Sequence, residues 1–352
     1  MEKTKTLAGR EEASLLHPQP VVSFLRGDQV ESVHFGHVAV VDARGGLLAS
    51  AGDPSVPVFP RSSFKPFQAL PLVESGVFAR SELEPEALAL IAGSHGGTDR
   101  QAALALSILM LAGLDASALG CGAHEPYDEP TALAMRRRNE RPTALRNNCS
   151  GKHAGMLLLA KAMGAPVESY LDPDHPVQRR IFQRFEELMG RRFGGPPAID
   201  GCSAPTPRMP LTTLAHSFAL LALGTDAAGK SVPALAQIRD AMTAYPANVA
   251  SEGRLDTVLM RRMKGVVVSK AGAEGVHAIG HVKRGIGIAV KIQDGARRAL
   301  KPAVVSVLSE LGLLSPEDLD AIQPMDELIL RNHTGLLVGE IRSALRLKRA
   351  GR

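Results

Sequence analysis

The sequence predicts an α+β protein in which strands from both ends of the chain form one sheet against a helical lobe from its middle. Three observations carry this. Strand-like alternation occupies residues 21–50 and returns only after about 265. Between them lie apolar segments with helical spacing, opened by capping residues and prolines. No internal repeat or low-complexity linker cuts the chain. The expected organisation is therefore a flexible leader at 1–19, a single two-lobed domain at 20–346 and a basic tail at 347–352, frayed in solvent.

In order along the chain, Val21–Leu25, Val33–Asp42 and Leu47–Ser50 read as strands, with Ala43-Arg44-Gly45-Gly46 as a hairpin turn. A proline-rich loop, Gly52 to Pro60, delivers the chain to Ser62 and a helix in which Pro71 marks a kink or an end. Glu86–Ile91 reads as helical at least as well as extended and leads into the turn Gly93-Ser94-His95-Gly96-Gly97. A buried helix spans about Asp99 to Leu111, and an exposed basic helix covers Pro130 to Asn139. Asn147–His153 opens a strongly apolar helix, and Asp174-His175-Pro176 starts another that carries Ile181, Phe185 and Leu188 on one face. After the rigid loop Asp200–Pro207 come helices at Leu211–Leu223 and Val232–Met242. Strands at Gly265–Ser269, His277–Val282 and Ile286–Gln293, a helix at Ala299–Leu311 and a strand at Leu336–Ile341 complete the chain.

Composition narrows the function. With 352 residues, 45% hydrophobic and 22% charged, the chain can bury a sizeable core. No Trp, three Tyr and ten Phe argue against a protein that stacks bases. The excess of five positive charges sits partly in Arg136–Arg138 and the tail, read as a solvated helix face and a free end. Three cysteines make no disulfide framework and point to a reducing, cytoplasmic setting. Met1 to Pro20 shows no apolar signal core, and the apolar runs at 102–114 and 154–165 fall short of the ~20 residues that span a bilayer.

The chemistry begins at Arg61-Ser62-Ser63-Phe64-Lys65-Pro66. Residues three apart share a helical face, so the Ser62 hydroxyl and the Lys65 amine can meet. A serine needs a base, and a lysine desolvated by Phe64, Pro66 and Phe67 can be one. Ser94 stands in a near nucleophile-elbow context, Ala-Gly-Ser-His-Gly. Lys270 leaves a β-branched run in K-x-G form. Serine acyl enzymes of the penicillin-binding type combine S-x-x-K, a second serine between helices and K-T-G on a strand; here the second motif lacks its Asn, and Ala271 replaces the Thr. A further cluster is Cys149-x-x-Lys152-His153 with Asp200-Gly201-Cys202; its two cysteines, histidine and carboxylate could hold zinc, although their spacing does not fix a site.

Together, R-S-S-F-K-P, Ser94-His95, Asn148-Cys149-Ser150-Gly151-Lys152-His153-Ala154-Gly155-Met156, D-G-C-x-x-P-T-P from Asp200 and Val268-x-Lys270 resemble the class 3 L-asparaginases, the thermolabile, asparaginase II-like family. The resemblance runs from about Val21 to Arg346. It implies a fold of the β-lactamase, penicillin-binding and glutaminase kind and a homodimer acting on L-asparagine. It places two Ser-Lys tandems on Ser62 with Lys65 and on Ser94 with Lys270. It places zinc on Cys149, Lys152 and Cys202, with Arg61, Asn148, His153 and Asp200 toward the substrate. A lysine ligand must be neutral to coordinate, and His153 is the more orthodox candidate. The rival readings are a β-lactamase or peptidase and a non-enzymatic zinc or redox sensor using the cysteines.

Overall fold

The computed structural model describes residues 17–192 and 195–351, so the expected leader lies outside the described residues up to position 16. Among the described residues nine strands form the main sheet: β1 (Gln19–Arg26), β2 (Gln29–Asp42), β3 (Leu47–Ala51), β4 (Val267–Ala271), β5 (Val276–His281), β6 (Ile286–Ile292), β7 (Ile329–Arg331), β8 (Leu337–Ser343) and β9 (Lys348–Arg349). The order is β7-β8-β1-β2-β6-β5-β4, every pair is antiparallel, and β3 also pairs with β2 and carries β9 on its other side. Strands from both chain ends thus lie side by side at the centre, through β2 and β6. The expected architecture, an antiparallel sheet on a helical lobe, is the one observed.

The two-residue period of a strand sends successive side chains to opposite faces. Ala39 and Val41 of β2 face the helical lobe, while Val38 and Val40 join the core on the other side. The lobe holds α1 (Lys65–Glu74), α2 (Pro85–Ile91), α3 (Asp99–Leu111), α4 (Ser150–Ala162), α5 (Pro176–Met189), α6 (Leu211–Leu223) and α7 (Pro233–Ala244). Helix α8 (Leu255–Arg262) packs on β4, and α9 (Arg297–Glu310) covers the second face against β1, β6 and β8. Helix α6 lies directly on the sheet, and the sheet makes room for it with glycine. Gly287 and Gly280 are opposite one another on β6 and β5. A Cβ on Gly287 would stand 1.8 Å from the Ala215 carbonyl oxygen, and one on Gly280 2.1 Å from that of Phe218.

Three features differ from the sequence reading. Helix α1 continues through Pro71 to Glu74, because it is buried from Lys65 to Val73 against α4, α5 and α7, and this packing outweighs one lost hydrogen bond. The basic tail is not wholly frayed: Lys348 pairs with Ser50, Arg349 with Ala49, and the Arg349 guanidinium donates to the Glu310 carbonyl at 2.8 Å. Strand β7 and helices α8 and Pro316–Ile322 have no counterpart in the reading, being short and weakly periodic.

The Gly287 contact makes a direct prediction. Gly287→Ala forces α6 off the sheet and is expected to cost about 3 kcal/mol, at the upper end of overpacking effects. Urea denaturation checks it; a loss under about 0.5 kcal/mol, the size of a neutral surface change, would contradict the close approach.

Candidate active site

The serine-lysine segment is a single 3-10 turn, Arg61–Phe64, running straight into α1, with Pro66 in the first helical turn where its missing N–H is no loss. The turn opens with Arg61 at φ 52°, a left-handed conformation that a non-glycine residue adopts at a cost of about 1 kcal/mol. Ser203, in the D-G-C-S loop, and Glu274, beyond Lys270, share this strain. Phe64 and Phe67 both pack edge-on against Phe185 with ring centroids 5.0 Å apart, and so anchor the turn in the apolar core.

Lys65 is only 1% exposed. Its amine donates to the Gly93 carbonyl at 2.6 Å, to Ser94 Oγ at 2.9 Å and to the Asn148 carbonyl at 3.2 Å. The bond that forms therefore crosses the two tandems: Lys65 meets the serine that the resemblance pairs with Lys270. Burial pushes the Lys65 amine down, the nearby Lys152 adds to this, and the thiols of Cys149 and Cys202 oppose it. Ser94 follows α2, which is helical, so the nucleophile-elbow geometry of a strand-turn-helix is absent here. Its turn is held by Ser94 N–H to the Val249 carbonyl at 2.8 Å and by His95, which accepts from Gly97 N–H and bonds Ser150 Oγ at 2.9 Å. Burial keeps that imidazole neutral, with its pKa near 3.

Lys270 sits in β4 at the edge of the sheet, 1% exposed, with its amine donating to the Ala271 carbonyl at 2.8 Å. Gly272 lets this strand end pass the serine turn: a Cβ there would stand 2.4 Å from the Pro60 carbonyl oxygen. Burial pushes the Lys270 amine down to about 8; Lys65 adds to the shift, and Asp256 and Cys149 oppose it. Ser62, Ser94, Asn148 and Lys270 all line one cavity of about 490 Å³, which Arg254 and Glu274 also line. Two serines and one low-pKa amine thus line the same cavity, with a second buried amine bonded to one of the serines.

The remaining expected residues, Asn148 apart, are not among those that line this cavity. Arg61 Nε donates to Asp200 Oδ1 at 2.7 Å, which also accepts from Gly201 N–H at 2.6 Å. Asn148 N–H donates to His124 Nε2 at 3.0 Å. Lys152 lies 2.9 Å from Cys202 Sγ. Cys202 shares a proton with Cys149, whose thiol is held well below its usual value by that bond, while Cys202 is pushed up by the same bond and by burial. The Lys152 amine is raised: burial lowers it, but Cys149 and Cys202 together outweigh the burial. His153 is fully buried, with Nδ1 on the Tyr170 hydroxyl at 2.6 Å; its Nε2 lies against Cys202 without a conventional partner among the described residues.

Among the described residues no three His, Cys, Asp or Glu side chains form a metal cluster. The donor chemistry nevertheless fits zinc: two adjacent thiols, an amine drawn to them, and an orphaned imidazole nitrogen alongside. The amine must give up its proton to coordinate.

Two groups of site residues escaped the sequence reading. Asn147 accepts from Cys149 N–H at 2.8 Å and donates to the carbonyls of Cys121 and Gly122, and so shapes the N-terminus of α4. Asp256, with Ser269 and His277, stands buried beside Lys270. Nothing local marks Asp256, since its partners lie thirteen or more residues away in sequence.

A model of the L-asparaginase II family matches residues 22–343. No curated protein matches the sequence. Among solved structures, Mglu in its native form has 17% identity and a TM-score of 0.44, over 80% of this chain and 66% of Mglu, so the chain spans slightly less than two thirds of that protein. The LovD6 mutant of simvastatin synthase from Aspergillus terreus has 12% identity and a TM-score of 0.37, over 78% of this chain and 91% of its own. A Bacteroides dorei DSM 17855 protein provisionally described as a β-lactamase has 11% identity and a TM-score of 0.39, over 78% and 93%.

Proposed function

The chain belongs to the L-asparaginase II family, and from that premise we propose that it hydrolyses L-asparagine to L-aspartate and ammonia through a serine acyl-enzyme. As a family member it is an amidohydrolase. The observation that carries the finer reading is that Ser62, Ser94 and Lys270 line one cavity, with Lys65 bonded to Ser94.

One serine Oγ attacks the side-chain carboxamide carbon, and its proton passes to a buried lysine amine. Burial lowers both amines, Lys270 to about 8, which favours the neutral form that can accept it. The oxyanion then collapses, the C–N bond breaks, and the lysine returns its proton to the departing ammonia. Water attacks the resulting ester and a lysine takes its proton; the bond to serine Oγ then breaks, the lysine returns the proton to that oxygen, and aspartate leaves. Arg61 and Asp200, an adjacent guanidinium and carboxylate one residue from Ser62 and across the D-G-C loop, complement the α-carboxylate and α-ammonium of the substrate. Asn148 lines the cavity and can hydrogen-bond the same end.

Zinc belongs to the proposal as a partner of Cys149, Lys152 and Cys202, with His153 beside them. When bound, it would supply a fixed positive charge to this side of the site. The two serines and two lysines already offer a nucleophile and a base, so the metal site has the task of orienting substrate.

Two outcomes follow. Ammonia release on asparagine, glutamine and a chromogenic β-lactam is expected to be fastest on asparagine, and Lys65→Met and Lys270→Met are each expected to lose more than about tenfold in kcat, ~1.4 kcal/mol. Ammonia from neither amide would overturn the reading, and a Met variant above a tenth of the wild-type rate would remove that lysine as base. Metal analysis is expected to find one zinc per chain, lost in Cys202→Ser. Stripping it should raise KM for asparagine more than it lowers kcat; a folded apo-enzyme with no kcat and undiminished affinity would make the metal catalytic instead.

A further inference from the structure

The buried carboxylate beside Lys270 has no part in the steps above. Asp256 is the second residue of α8 and only 3% exposed. Its Oδ1 accepts from Ser269 Oγ at 2.7 Å and lies 3.2 Å from His277 Nε2, which is itself 2.8 Å from Ser269 Oγ. Its Oδ2 accepts from Ala271 N–H at 3.0 Å. Ser269 and Ala271 are the two neighbours of Lys270 in β4, so one carboxylate grips the strand on both sides of the lysine. β4 is the edge of the sheet, and the Ala271 N–H that Asp256 takes up is one the ladder leaves outward.

The grip is itself fixed. Ser269 and His277 are completely buried, and His277 faces Ala271 from β5. Burial pushes the Asp256 carboxyl up, but His277, Lys270 and Ser269 outweigh it and hold it below the ordinary carboxylate range. It therefore stays charged. The titratable and charged groups around Lys270 are Lys65 and Cys149 from the helical lobe, Asp256 from α8 and His277 from β5. Arg254, Glu274, Tyr127, Arg297 and Lys301 stand further along the cavity wall. Among those that act on the Lys270 amine most strongly, Asp256 is the largest that favours its charged form.

We propose that Asp256 is the positioning residue of Lys270: locked by Ser269 and His277, it fixes β4 against the serine turn, and its charge balances the ammonium that Lys270 becomes on taking a proton. The inference rests on the proposed hydrolysis only in making Lys270 a base; the grip and the charge effect are independent of substrate.

The test is Asp256→Asn, which keeps the shape and removes the charge. Competitive acetylation with acetic anhydride between about pH 6 and 10, read by peptide mass spectrometry, reports the Lys270 midpoint directly. The wild-type midpoint is expected near 8. Loss of the negative charge disfavours the ammonium, so the Asn variant should move it down by about one unit or more. The acid limb of kcat/KM for asparagine should move the same way, and Asp256→Glu should return the midpoint to within about half a unit of wild type. An unchanged midpoint in folded Asp256→Asn overturns the proposal. If the wild-type enzyme releases no ammonia from asparagine, the hydrolysis reading fails, and the acetylation midpoint still decides the role of Asp256. Should Asp256→Asn not fold by circular dichroism, Ser269→Ala carries the test. It deletes one clamp and keeps the charge, so kcat should fall about tenfold at a KM within about twofold while the midpoint stays near wild type; an unaltered kcat there overturns the proposal.

Discussion

The Lys65 amine is buried in the lobe and hydrogen-bonded at once to Gly93, Ser94 and Asn148. A buried ammonium without acceptors is among the costliest things a core can hold, so these three oxygens must stay where they are for the lobe to be stable. They belong to the turn after α2 and the segment that opens α4, while the lysine begins α1. One polar centre thus registers three helices whose apolar surfaces alone would tolerate sliding. It also brings the second serine to the first, which neither motif encodes by itself.

Around that centre the charges are balanced. Lys152 lowers Lys65 and Lys65 lowers Lys270, and each is opposed by an acid nearby, the thiols for Lys65 and Asp256 for Lys270. Desolvation remains the largest influence on both amines. Lys270, lowered to about 8, can exchange a proton near neutral pH, which an exposed lysine does not do. The strain at Arg61, Ser203 and Glu274 is found where the serine turn, the thiol loop and the end of β4 converge.

Much of the fold was legible because the patterns were long. Leu211–Leu223 and Asp99–Leu111 match the observed helices end to end, and β2, β5 and β6 fall within a few residues of their alternating runs. Pro71 misled, because a local rule about a missing N–H says nothing of how deeply the helix is packed. At the site, Ser62, Lys65, Ser94 and Lys270 could be named from local motifs, since each sits in a recognisable turn or strand end. Their partners could not. That Lys65 bonds Ser94 depends on where the turn after α2 lands, and that Asp256 grips both neighbours of Lys270 depends on α8 packing along an edge strand. Such pairings are products of the sheet order and leave no periodic trace.

The claim on which the rest depends is that a serine on this cavity wall carries the acyl group. Rapid acid quench of the enzyme with L-asparagine, followed by peptide mass spectrometry, tests it most directly. An aspartyl ester on Ser62 or Ser94 during turnover, absent when that serine is Ala, is the predicted result. Full-rate ammonia release with no adduct on either serine, or undiminished release in the Ser62→Ala/Ser94→Ala double variant, would contradict it.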